Sequence, residues 1–506
     1  MGEAGSSNRG DVRNFTEYGG CLTGSAHYTR LLVPYRQFEI AARRVPDRLA
    51  IQTPDHSELT YRELEELIRR LASGMRNLGV QPGEAVSACI GNHWMQMPWF
   101  LALMRIGAIF HATSRYLTAN ETAYQLGQTR PRLVIGDGGV SFEEVLAAAS
   151  DDPVVPFADE WAPSHIRFSS GTTGNPKMML ATQRAGAIHA AAVQSVLQLT
   201  ENDRHLVVGP LSHAALHYAL PQLNAGGTVY MREAFDKEAL WQDCEEHGIT
   251  NTMVVPTMIA TALDRPGDAP QLRKVVSLGA SLVPALKERL LARFPQLGLY
   301  EMYGASEYGS VSWLLPEDQL RKPASVGKPN VGQEVLIADD DGNEVPVGTI
   351  GSVYVRGPML VCAYVGEVKP SPPPQKLAEQ GWIGCGDLGF IDDEGYLTIA
   401  DRRVDLILSG GLNVYPAEIE AVLTRLEGIS QIAVVGLPDE RWGHIVSAYY
   451  VGTATEDDIT GICREMLASY KLPRKIFRVD ALPQTSSGKI SRKLVRDAVA
   501  EGRLPS

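Results

Sequence analysis

The sequence predicts an α/β protein, in which a small β-rich subdomain and then a compact α+β domain follow a large region of mostly parallel sheet. Three observations point there: short apolar runs alternating with helical stretches between residues 84 and 302, a change of texture near Gly327, and a restart of strand–helix alternation after Asp401. At 506 residues the chain exceeds one compact core, and length alone suggests about three domains.

Taken in order, residues 1–30 are polar and rich in Gly and Ser, the composition of a loosely ordered arm. A helix then reads clearly. Thr60 and Glu63 form a capping-box pattern, Leu64, Leu67, Ile68, Leu71, Met75 and Leu78 share one face, and Gly79 ends it. The apolar stretch 95–110 contains Gln96, Pro98 and Arg105 and is too short to span a bilayer, so it reads as a buried helix. Strands are expected at 84–90, 132–136, 166–169, 205–208, 228–231, 252–255, 274–278 and 298–302. After Gly327, turn signals crowd together (Asp340-Asp341-Gly342-Asn343, Glu394-Gly395), and the proline-rich 369–374 reads as an exposed loop. Beyond Asp401-Arg402-Arg403 come a strand, a helix at 416–426, strands at 429–435 and 444–451, a helix at 457–469 and a basic tail. The organisation expected is an arm (1–30), an N-terminal domain (31–401) and a C-terminal α+β domain (402–506).

Composition narrows the class. Hydrophobic content of 44% with 21% charged residues is ordinary for a soluble globular protein. A net charge of −12 argues against a general nucleic-acid binder. The six cysteines are scattered without a C-x-x-C pair and read as reduced thiols of a cytoplasmic protein. The N-terminus, MGEAGSSNRGDVRNF, has no apolar signal-peptide core.

The chemistry starts at residues 169–177, SSGTTGNPK. Glycines let backbone N–H groups approach an anion and hydroxyls donate further bonds, so the loop suits phosphate. It is not a Walker A loop, because Pro176 precedes Lys177 and Met178 follows it. Other motifs follow in order: Pro210-Leu211-Ser212-His213, Gly279-Ala280-Ser281-Leu282, Tyr303-Gly304-Ala305-Ser306-Glu307, Gly386-Asp387-Leu388-Gly389, Ser409-Gly410-Gly411-Leu412-Asn413-Val414-Tyr415-Pro416 and Ser487-Gly488-Lys489-Ile490. Together they resemble the signatures of the adenylate-forming superfamily, which holds acyl-CoA synthetases, peptide-synthetase adenylation domains and luciferases. The resemblance covers roughly residues 35–500.

That resemblance implies an N-terminal domain of two α/β subdomains plus the β-rich one, and a mobile C-terminal lid. It implies adenylation of a carboxylic acid by ATP with Mg²⁺, release of pyrophosphate, and attack by a thiol, usually CoA. Ser169, Ser170, Gly171, Thr172, Thr173, Gly174 and Lys177 would hold the phosphates. Gly279, Ala280, Ser281, Met302, Tyr303, Gly304, Ala305 and Ser306 would surround the nucleotide, and Glu307 would hold Mg²⁺. Asp387 would accept the ribose hydroxyls, with Arg402 beside it. Lys489 would bridge the carboxylate and the α-phosphate, and His213 would line the acid pocket. His217, one turn on, reads as packing. After rotation of the C-terminal domain, Ser409, Gly410 and Gly411 would meet the pantetheine arm.

Two positions depart from the pattern. Asp401 stands where the family reads Gly, and Val404 where it reads Asp or Lys at the hinge, with Asp405 following. Val carries no charge to exchange partners, so slow thiolation, or an acyl carrier protein or partner enzyme as acceptor, is the alternative to CoA. Eight basic residues between Lys471 and Arg496 face one acid, Asp480, and read as a largely solvated face. The pocket positions His213, Ala214, Leu216, Met258, Gly279, Gly304 and Ser310 include several small residues and no obvious counter-charge. They suit a bulky hydrophobic acid, whether aromatic, fatty or polycyclic. No nucleic-acid partner and no membrane span are expected, and a homodimer is the default assembly.

Overall fold

The computed structural model describes residues 32–506 apart from 56, 115–116, 169–177, 361–362, 366–372, 385, 410–411, 440–441 and 486–488. The arm, the phosphate-loop residues Ser169 to Lys177, Gly410 and Gly411 therefore lie outside the described residues.

Four sheets make up the rest. The first has six strands in the order Ala363–Val365, Met178–Thr182, Pro163–Phe168, Ile109–Ala112, Ala85–Cys89 and Leu133–Gly136. The second has nine, parallel through its middle and antiparallel at both edges; its central strands include Arg204–Val207, Asn251–Val254, Lys274–Leu278 and Gly298–Ala305. A four-stranded antiparallel sheet (Glu334–Ala338, Gly351–Arg356, Asp387–Ile391, Leu397–Arg402) forms the β-rich subdomain. The last sheet is built on the long hairpin Ile429–Asp439 and Gly443–Gly452.

One core joins the two large sheets. Val86 and Phe110 of the first sheet share a cluster with Val207, Val229 and Val276 of the second, and the helices Tyr61–Asn77, Gln96–Ile106 and Leu216–Ala225 contribute the layer of apolar side chains. The helix Tyr61–Asn77 starts where its sequence dictates. Glu63 N donates to Thr60 Oγ1 at 3.3 Å, and Thr60 N donates to Glu63 Oε2 at 2.8 Å. Its face of Leu64, Ile68 and Leu71 is fully buried, and truncating any one of these to Ala costs about 2–5 kcal/mol. The C-terminal sheet carries two cores of its own, one around Ile419, Val434 and Tyr450, the other around Val435, Tyr449 and Val495.

The stretch 95–110 is not one helix. The helix Gln96–Ile106 stops at Gly107, whose φ of 75° is left-handed, and the strand Ile109–Ala112 follows. Both pieces are almost wholly buried, so the same unbroken apolar composition serves a helix and then a parallel strand. Among the described residues no helix is long and apolar enough to cross a membrane.

Candidate active site

The strand ends of the second sheet, the β-rich subdomain and the C-terminal domain converge on one cleft. Strand Lys274–Leu278 runs into Gly279, whose φ is 90°, followed by an exposed turn of Ala280 and Ser281. Lys489 reaches this turn from the C-terminal domain. A Cβ built on Gly279 would collide with Lys489 Nζ and Cε, so the bare glycine is what admits the lysine. The backbone supports the reach: Thr485 N donates to Lys489 O at 2.8 Å, and Lys489 N donates to Thr485 Oγ1 at 3.3 Å. Burial, and then the nearby charge of Arg402, lower the pKa of the Lys489 ammonium.

Across the cleft the strand Gly298–Ala305 carries Met302, Tyr303, Gly304 and Ala305, and the turn beyond it carries Ser306 and Glu307. Tyr303 donates its hydroxyl to Asp387 Oδ2 at 2.5 Å, and Arg402 Nε lies 3.4 Å from Asp387 Oδ1. Asp387 and Arg402 face each other across the antiparallel pair of the β-rich sheet, so register places both at the cleft. Glu307 is buried, with a relative exposure of 9%, makes no ion pair within 4.0 Å among the described residues, and interacts at longer range with the charge of Arg167. A buried carboxylate of this kind suits a bound cation.

His213 lies in the open part of the cleft, its Nδ1 2.9 Å from Ser212 Oγ. Surrounding protein, then the charges of Lys489 and Arg167, hold the imidazole below its ordinary pKa, so it is neutral. Arg167 is a residue that sequence reasoning missed. It lies on strand Pro163–Phe168, two residues before the glycine-hydroxyl loop. Its Nε donates to His165 Nε2 at 2.8 Å, and its Nη2 is 2.9 Å from His217 Nε2. The His165 and His217 rings are 5.1 Å apart, and His189 stands edge-on to His217 at 5.7 Å. Ser164 Oγ lies 2.8 Å from His165 Nδ1 and donates to Ala181 O at 3.0 Å. Both His165 and His217 are therefore neutral acceptors, and burial first, then the arginine, keeps their pKa values well below the ordinary range. His217 is thus more than packing. The available signal was two basic residues, His165 and Arg167, at strand spacing and hence on one face.

The hinge region is tied by charge. Asp401, the last residue but one of the strand Leu397–Arg402, accepts from Arg492 Nη1 at 2.5 Å and from Ala417 N at 2.9 Å. Arg492 also donates to Glu420 at 2.6 Å and 2.9 Å, and lies 3.5 Å from Asp405, which Arg496 meets at 2.9 Å. The departure at Asp401 and the neighbouring Asp405 therefore form one ion network with the helix Arg492–Ala500, just beyond Lys489. The basic segment is less solvated than its composition implies, since Lys471 pairs with Glu418 at 2.6 Å, and Arg492 and Arg496 are in this network. Val404 side-steps it and is 52% exposed. Ser409 is buried in the C-terminal sheet opposite Leu412 and Gly443, and among the described residues no hydrogen bond joins it to the cleft.

Residues 38–365 match the family described as AMP-binding enzyme, and residues 418–489 match the AMP-binding enzyme C-terminal domain. The chain is 32% identical to an indoleacetate–CoA ligase of Aromatoleum aromaticum, over 90% of this chain and 96% of that protein. It is also 32% identical to a 2-succinylbenzoate–CoA ligase of Listeria monocytogenes, over 87% and 94%. Solved structures of the o-succinylbenzoate CoA synthetase of Bacillus subtilis, 27% identical, share the fold. The complex with the acyl-adenylate intermediate has a TM-score of 0.83 over 91% of this chain and 98% of that one, and the complex with ATP and a magnesium ion has 0.82 over 91% and 99%.

Proposed function

Because the chain belongs to the AMP-binding enzyme family, we infer that it works as an ATP-dependent, AMP-forming acyl-CoA ligase. The observation that carries this reading is Lys489, delivered by the C-terminal domain onto Gly279 beside the Tyr303–Asp387–Arg402 set. In the first half-reaction a carboxylate attacks the α-phosphate of ATP and pyrophosphate leaves. Lys489 holds the oxygens of both anions and offsets the charge that builds between them. Asp387 accepts the ribose hydroxyls, Tyr303 and Arg402 fix its carboxylate, and Met302, Gly304, Ala305, Ser306, Ala280 and Ser281 shape the nucleotide side. Neutral His213 orients the acid. Glu307 has the buried, unpaired carboxylate that suits Mg²⁺, and the ion when bound would neutralise phosphate charge. Ser169, Ser170, Gly171, Thr172, Thr173, Gly174 and Lys177 hold the phosphates. Thiolation follows once the C-terminal domain, taken as 402–506, turns to present Ser409, Gly410 and Gly411 to the pantetheine arm.

The acid is bulky and largely apolar. Ala214, Leu216, Met258, Gly304 and Ser310, the positions the family resemblance assigns to the pocket, support that, being small or apolar. An acceptor other than CoA is favoured by one observation, the exposed, uncharged Val404 at the hinge. Pyrophosphate release with ATP, Mg²⁺ and a panel of acids, with and without CoA, tests both. Acyl-CoA formation at the adenylation rate supports CoA; adenylate accumulating with CoA present points to a carrier protein or partner enzyme.

A further inference from the structure

From the Arg167 cluster, and resting on the ligase reading above, we infer that the acid carries a second carboxylate, at the end remote from the one that is activated, and that Arg167 recognises it. Arg167 is enclosed by protein, yet part of its surface stays open, and its charge reaches Glu307 and His213 of the cleft. Nε and Nη2 are taken by His165 and His217, and among the described residues no carboxylate comes within 4.0 Å. The acid whose field reaches it is Glu307, the residue assigned to Mg²⁺. A guanidinium held between neutral imidazoles is fixed in direction but not neutralised, and an enclosed cation without a partner is costly. Its planar fork matches a carboxylate in two parallel hydrogen bonds.

Position supports the same conclusion. His217, in the first turn of the helix Leu216–Ala225, follows the turn residue His213 by four positions, and burial first, with Arg167 among the charges that add to it, lowers the pKa of both imidazoles. The cluster thus borders the acid cleft at His213, where the charges of Lys489 and Arg167 both arrive. His189 sits against Gly309, where a Cβ would lie 3.3 Å from its Cδ2, next to the pocket residue Ser310. His189 and His217 also line a small cavity with Phe100, Ala190, Leu220 and Pro221. The apolar walls and the single cation together describe an acid with a hydrophobic body and charge at both ends.

The test uses acids matched in skeleton: hexanoate with adipate, phenylacetate with 4-carboxyphenylacetate, and 4-phenylbutanoate with 4-(4-carboxyphenyl)butanoate. Acid-dependent pyrophosphate release gives kcat/KM for each. The diacid of at least one pair should exceed its monoacid by about 100-fold or more, because a site built for a polar group rejects the analogue that lacks it. In Arg167→Met that preference should collapse through a rise in KM for the diacid, while the monoacid loses far less. Monoacids used as well as diacids by the unaltered protein overturn the inference and leave the ligase reading standing. Equal losses for both classes in Arg167→Met also overturn it, since the arginine then serves the reacting carboxylate or Glu307. Arg167→Lys guards against misfolding of the Met variant: it keeps the charge but not the fork, and should retain part of the diacid preference. Silence with every acid removes the ligase reading and this inference together.

Discussion

Two enclosed arginines are treated in opposite ways. Arg492 meets three carboxylates, Asp401, Asp405 and Glu420, with bonds down to 2.5 Å. Arg167 meets two imidazoles that stay neutral. Burial disfavours the charge of both, but the carboxylates more than restore it for Arg492, whereas burial brings Arg167 down to about 10. The difference separates a structural charge from a recognition charge. Arg492 is neutralised by its own chain and ties the hinge strand to the segment bearing Lys489. Arg167 is aimed by its own chain and left for a ligand to neutralise.

Four measurements would break or sharpen that contrast. The largest effect is expected for Arg492→Met, which leaves three carboxylates facing one another in a partly enclosed site. It should cost about 3–5 kcal/mol, read as a lowered urea midpoint and loss of hydrogen-exchange protection in the strand Ile429–Asp439. Unchanged stability would mean the network is a surface ornament. Lys489→Ala should slow adenylation by about 10²–10³-fold while thiolation of supplied acyl-adenylate stays near normal. Equal losses in both steps would remove Lys489 from the reacting centre.

The third measurement is stability against pH. His111 and His205 are buried, and burial holds both at about 4, while His189 is held at about 3. These groups stay neutral in the fold while the unfolded chain takes up protons below about 6.5. Stability should therefore be full above that pH and fall as the pH drops from about 6.5 towards 4, by up to about 1.4 kcal/mol per pH unit for each histidine. A flat profile over that window would show these rings accept protons in the fold. The smallest effect is expected for Arg167→Met on stability: a change within about 1 kcal/mol, because an unneutralised cation is exchanged for an apolar chain. A fall as large as that of Arg492→Met would make Arg167 structural and erase the contrast.

Legibility in the sequence followed range. Strands Thr228–Met231 and Lys274–Leu278 were readable to the residue, and so was the Thr60–Glu63 cap, because each depends on neighbours in sequence. Asp387 and Arg402 could be named from motif order, but their opposition across a strand pair could not. The break at Gly107 was hidden because a buried helix and a buried parallel strand share one composition. Arg492 with Asp401 joins positions far apart in the chain, and the composition of the tail predicted solvent where there are carboxylates. Arg167 was hidden differently. A cation in a strand is visible in any sequence, but whether its counter-charge is present is a property of the folded surroundings.

Gly279 bears on the order of events. Its bare surface is occupied by the Lys489 ammonium whenever the C-terminal domain is in the arrangement seen here. On the proposed rotation of the C-terminal domain, the thiol's approach and the lysine's seat compete for one domain position. An alanine at 279 would push the end of the Lys489 side chain from its place and strain a backbone whose φ is 90°, so it should slow adenylation more than it slows thiolation of supplied adenylate.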